Sequence, residues 1–126
     1  MRPLILIAGA LVATSCTQAS EPPGATFSRE LAGHVAGPAQ TCINGYPAEN
    51  LRVIDPSTIA YGTGRTIYVN HLPGACPALS QFNTIIVDAQ DGTRYCRGNR
   101  VRGLEPGGVI PGPWCTLGDW TPYKMP

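Results

Sequence analysis

The residues with chemical reach in this chain are five cysteines (Cys16, Cys42, Cys76, Cys96 and Cys115), two histidines (His34 and His71) and four arginines crowded between positions 94 and 102. Thiolates bind zinc or act as nucleophiles, imidazoles serve as general bases, and guanidinium forks pair with carboxylates and phosphates. Spacing decides among these chemistries. No two cysteines stand at the about two-to-four-residue separation of a zinc knuckle, so the set reads as a disulfide framework and no metal or cofactor is expected. A cysteine nucleophile needs a free thiol and a partner base, and disulfide pairing removes the thiol. Neither histidine sits in a ligand or triad motif. His71 would have to borrow Asp55 or Asp88 to act as the base of a small hydrolase, and a surface histidine is the simpler reading. Arg94, Arg97, Arg100 and Arg102 are candidates for holding anionic groups of lipid, peptidoglycan or a partner protein. The preferred alternative is a solvated strand edge whose charges block edge-to-edge aggregation.

Compartment follows from the N-terminus and from cysteine arithmetic. Arg2, the nine-residue apolar run Leu4 to Val12 and the small residues Ala13, Thr14 and Ser15 form the pattern of a secretory signal. The run is far below the ~20 residues of a permanent membrane span. Cys16 closes VATSC, which resembles a bacterial lipobox with Ala13 where leucine is usual. The resemblance implies cleavage before Cys16 and acylation of that cysteine; ordinary cleavage near Ala19 is the alternative. Five cysteines leave one odd, and assigning Cys16 to a lipid leaves an even set of four in an oxidising compartment. The expected location is a lipid anchor in the cell membrane, outer rather than inner, or the periplasm.

The elements that must position these residues are short. Fifteen glycines and thirteen prolines in 126 residues favour turns and strands over long helices, and the length suits one small core. The formal charge of +1 lacks the basic excess of a nucleic-acid binder, so no nucleic-acid partner is expected. Residues 1–15 read as the signal, 16–41 as a lipid-attached flexible linker, and 42–126 as a β domain. Within the linker, Phe27, Leu31 and Val35 recur at a spacing of four. Thr26 or Ser28 can cap one short helix that Gly33 would stop.

Asp55 to Cys76 reads as strand, glycine turn, strand and proline-bearing loop, with Gly62 and Gly64 supplying positive φ. Ile59, Tyr61, Ile67 and Val69 are expected on one apolar face. The strands are expected at 51–54, 58–61, 66–70, 81–88 and 93–96, and more weakly at 100–104 and 115–117. The continuous run Ile85, Ile86, Val87 predicts a central strand covered on both faces. The fold class is therefore all-β, a small antiparallel sandwich or open barrel of about five to seven short strands.

A simple meander of these strands places Cys76 with Cys96 at one end of the sheet and Cys42 with Cys115 at the other, although sequence alone does not fix connectivity. Such bridges would contribute on the order of 3 and 4 kcal/mol.

A wider resemblance covers nearly all of residues 31–123. It rests on Cys42-Ile43, Thr58-Ile59, Tyr68-Val69-Asn70, Cys76-Pro77 with Leu79, Cys96-Arg97 with Arg100, and Glu105-Pro106-Gly107. It continues through Ile110-Pro111-Gly112-Pro113, Cys115, Leu117-Gly118-Asp119 and Thr121-Pro122-Tyr123. This framework is similar to an uncharacterised family of small exported proteins from Gram-negative bacteria, a domain of unknown function. The resemblance implies no activity and no catalytic residue. The chain departs from it at Asn99, where an acidic residue is expected, which argues against a cation site there.

The functional expectation is a non-enzymatic binding or structural module acting on an envelope component, with the membrane met only through the lipid. The segment Gly103 to Pro113, stiffened by Pro106, Pro111 and Pro113, supports an alternative, a small disulfide-stabilised inhibitor of an envelope enzyme. Trp114 and Trp120 are expected to cover a disulfide or the core.

Overall fold

The computed structural model describes residues 9–10, 12–16 and 24–126. Most of the signal-like run and the linker stretch 17–23 lie outside the described residues. In chain order the elements are helix α1 (Ala25–Glu30) and strands β1 (Val35–Ala36), β2 (Cys42–Asn44), β3 (Leu51–Asp55), β4 (Thr58–Tyr61) and β5 (Thr66–His71). They continue with β6 (Thr84–Asp88), β7 (Arg94–Cys96), β8 (Arg100–Leu104), β9 (Cys115–Thr116) and β10 (Trp120–Lys124). They form a five-stranded sheet in the order β1-β10-β5-β4-β3, a three-stranded sheet β6-β8-β9 and a two-stranded ribbon β2-β7. All pairings are antiparallel. The result is an open sandwich rather than a closed barrel, as the sequence predicts in class.

The β4–β5 hairpin is the centre of the large sheet. Gly62 and Gly64 adopt φ of 86° and 79°, which a Cβ would strain. Its register corrects the expected single apolar face. Ile59 lies opposite Asn70, Ala60 opposite Val69 and Tyr61 opposite Tyr68. An odd-numbered residue of one strand thus shares a face with an even-numbered residue of the other, and the hydrophobic residues divide between two faces. Ile59 and Tyr61 join Ile43, Val53, Leu79, Val101, Leu117 and Trp120 in the inter-sheet core. Ala60, Ile67 and Val69 face the other way, under Phe27, Leu31, Ile54 and Tyr123. All four residues of β4 are therefore buried.

That second face corrects the linker boundary. From Gly24 onward the expected tether belongs to the fold, because Phe27 and Leu31 cover apolar residues of the large sheet that would otherwise meet water. The helix begins at Gly24 in the left-handed region with no side-chain cap, in place of Thr26 or Ser28, and Gly33 follows its end at φ 83°. Arg52 ties it down by reaching Glu30 at 2.6 Å.

Strand β10 carries Pro122, which argues against strand from sequence. The carbonyl of Pro122 accepts from the Gly37 N–H at 2.7 Å, so the missing proline donor points toward short β1 and leaves the ladder to β5 intact.

The run Ile85, Ile86, Val87 is also corrected. Among the described strands β6 pairs with β8 alone and so lies at the edge of its sheet, its residues half-buried or exposed. Ile85 and Val87 reach the core, while Ile86 faces away beside Arg102 in the register.

The disulfides are Cys42–Cys96 and Cys76–Cys115, which corrects both expected pairings. The chain is not a meander: β2 pairs with β7 as a separate ribbon. Arg97 N–H donates to Thr41 C=O and Gly45 N–H to Thr93 C=O, so Cys42 and Cys96 are a directly opposed non-hydrogen-bonded pair, Cα atoms 4.0 Å apart. That is the closest approach two strands offer, and it excludes either cysteine from another partner. The bridges close spans of 54 and 39 residues, each about 4 kcal/mol on the loop-entropy model.

Candidate functional site

The four arginines do not form one anion-binding cluster. Arg94 lies 3.9 Å from Asp91, Arg97 3.2 Å from Asp119 and Arg100 2.6 Å from Asp88. Three of the four thus have carboxylates of their own, in exposed pairs that contribute little to stability. Arg102 has no carboxylate partner among the described residues, and its Nε is buried without a hydrogen-bond partner. Arg100 and Arg102 sit two apart on β8 and so share a face. Both guanidinium groups lie over the Trp114 ring, 4.8 Å and 4.0 Å from its centroid. At this range the ring quadrupole attracts each cation. Trp114 itself remains 36% exposed, whereas Trp120 is buried in the core as expected.

The segment before Trp114 is a protruding loop with a clamped base. Gly112 N–H donates to Gly103 C=O at 2.8 Å, and Gly108 N–H to Glu105 C=O at 2.9 Å. Gly103 and Gly112 both lie against Ala78, where a Cβ on the first would strike the Ala78 carbonyl and on the second the Ala78 Cβ. Ala78 in turn is two residues past Cys76, which is bonded to Cys115. One disulfide, two close glycine contacts and a hydrogen bond thus hold the loop base, and the tip presents Val109 and Ile110 at 88% and 85% exposure.

A second feature has no signal in the sequence. A cleft of about 380 Å³ opens between the edge strands β3 and β6. Leu51, Val53, Ile85 and Val87 give it an apolar lining, with Tyr95 beside them and Glu49 and Asn83 among its polar groups. Burial, and secondarily the neighbouring Tyr61, raises the Tyr95 phenol above its ordinary value of 10.0. The two rings meet edge-on at 6.4 Å, and Tyr95 lies against Gly45, where no Cβ fits. Strand spacing alone does not reveal that two sheet edges face each other.

The remaining candidates stand apart. His71 is exposed at the end of β5, and neither Asp55, which accepts from Ser57 N–H, nor Asp88, which accepts from Arg100, is hydrogen-bonded to its ring. His34 Nε2 is 2.6 Å from Gly64 C=O. Asn99, where the resemblance expects an acid, accepts the Cys96 N–H at 2.7 Å and closes the turn into β8. No group of three His, Cys, Asp or Glu able to hold a metal occurs among the described residues. Cys16 is exposed and carries no disulfide. No described helix is long and apolar enough to cross a membrane. Comparison with protein-family models, curated proteins and solved structures finds no match.

Proposed function

We propose that this protein is a non-enzymatic binding module of the cell envelope, exported and held to a membrane through Cys16. Its contact surface is the loop Gly103 to Pro113 together with Trp114, Arg100 and Arg102. The observation that carries this reading is the pairing of a clamped loop base with an apolar tip in water. A loop already ordered before contact lowers the entropic penalty of binding, and Val109 and Ile110 gain by leaving water. Trp and Arg are the residue types most often found at interface hot spots, and here they adjoin. Arg102, which lacks a carboxylate among the described residues, is the one of the four arginines left to meet an acidic group of the partner. That neither Asp55 nor Asp88 is hydrogen-bonded to His71, and no carboxylate among the described residues is, supports the non-enzymatic reading over the hydrolase.

The exposed tip favours one more specific reading, in which the loop enters the cleft of an envelope enzyme as an inhibitor. A photo-crosslinking residue at Val109 in intact cells, followed by mass spectrometry of the adduct, tests both. A single dominant adduct that disappears in the Trp114→Ala background supports the contact surface, and a hydrolase in that adduct supports the inhibitor. An adduct pattern unchanged by Trp114→Ala refutes the assignment of this surface.

A further inference from the structure

The geometry points to the cleft between β3 and β6 as a peptide-binding site that captures an extended segment of a partner by strand addition to β6. The hydrogen-bond phase of each sheet carries the inference. Leu117 N–H donates to Asn99 C=O and Gly112 N–H to Gly103 C=O, so the backbones of the odd-numbered positions 99 to 103 face away from β6. Arg100, Arg102 and Leu104 therefore turn their amides and carbonyls toward Asp88, Ile86 and Thr84, which they oppose in the register. The backbone groups of Ile85 and Val87 are left pointing outward, where no strand follows β6 among the described residues.

The opposite wall has the same character. Gly62 N–H donates to Asn50 C=O, so Arg52 also faces β4, while Val53 turns its backbone to the open side of β3. The two edges approach within 8 Å between Cα atoms. A strand lying in one plane between both would need about 9.6 Å, twice the inter-strand spacing, so the occupant extends the sheet of one edge and passes beside the other, outside its plane. That one is β6, since Val53 is buried and no residue of β6 is.

Three observations identify the occupant. Exposed strand edges are ordinarily blocked by lysine, proline or a bulge, yet β6 is Thr-Ile-Ile-Val-Asp, its one charge already held by Arg100. An unblocked edge of β-branched residues selects extended backbone. The cleft, at about 380 Å³, accommodates a few residues of chain and not a second sheet, so edge pairing with another copy of this protein does not fit it. The charge at its mouth selects further: Arg52 is neutralised by Glu30, whereas Glu49 has no ion pair among the described residues. The ligand is thus a peptide with alternating apolar side chains that point toward Leu51 and Val53, and with a basic residue beside Glu49. This surface is separate from the Trp114 loop and does not rest on its role.

The test uses a fluorescent peptide pool with one lysine followed by alternating threonine and Val, Ile or Leu, and the same pool N-methylated on the edge that pairs with β6. The expected result is saturable binding to the folded protein that N-methylation weakens on the order of tenfold or more. The Ile85 and Val87 amides should exchange more slowly in the complex, and Glu49→Gln should weaken binding about twofold to fivefold. Trp114→Ala should leave binding unchanged, which separates this site from the loop surface. Equal affinity of the methylated pool, unprotected Ile85 and Val87 amides at saturation, or no binding by any member overturns the inference. So does amide protection that rises with protein concentration alone, which would make a second copy the occupant.

Discussion

Replacing Asn70 with alanine should remove more stability than any other single polar substitution in the large sheet. Asn70 is fully buried, and its side chain acts as a short length of backbone: Nδ2 donates to Gly118 C=O at 2.7 Å and Oδ1 accepts from Gly118 N–H at 2.8 Å. Gly118 cannot turn elsewhere, since a Cβ there would already strike the His71 carbonyl. Two net hydrogen bonds of about 1 kcal/mol each are lost, and the amide and carbonyl of buried Gly118 are stranded at about 1 to 3 kcal/mol for the pair after relaxation. The expected loss is about 3 to 5 kcal/mol, against a total of about 5 to 15 for a domain. Urea unfolding with disulfides intact measures it, and a loss below about 1 kcal/mol refutes the argument. Asn70→Asp refines the test. The carboxylate keeps the acceptor but loses the donor, and burial raises its pKa above the unfolded value of about 3.9. Its protonated form, which again donates, is therefore favoured in the fold. The stability gap to the wild type should be smallest below about pH 4 and widen as pH rises through the folded-state pKa. A gap independent of pH would show that Nδ2 contributes nothing.

Two further outcomes follow from the same reasoning. Because burial and Tyr61 raise the Tyr95 pKa, the unfolded chain ionises first on alkalinisation, so stability is fully present below about pH 10 and lost as pH rises through the folded value. Tyr95→Phe should flatten that loss in urea midpoints taken across the alkaline range, and an unchanged slope would refute it. Cys16→Ser should move the protein from the membrane to the soluble fraction of cells, and unchanged fractionation would refute the anchor.

Much of the secondary structure was legible because its signals are local. Thr58 to Tyr61 and Arg100 to Leu104 are bounded by turn residues and appear as strands with those limits. The glycine hairpin at 62–64 also stands where its chemistry demands positive φ. Strand β10 was hidden by Pro122, whose tolerance depends on which neighbour its missing N–H faces. The candidate surfaces were legible in part. The loop and the arginines were visible as a proline-rich segment and a charge cluster, but not their meeting on Trp114 or the ion pairs that occupy three of the four.

By itself the sequence determined the class, the turns, most strand positions and the presence of four cysteines able to pair, since each depends on residues within a few positions of one another. Only the tertiary structure decided that Cys42 meets Cys96, that Ile59 and Val69 face opposite ways, and that β6 lies at an edge across from β3. Those outcomes rest on which distant strands pair and in what register. A shift of one residue reverses every side chain, and no local periodicity encodes the choice of partner.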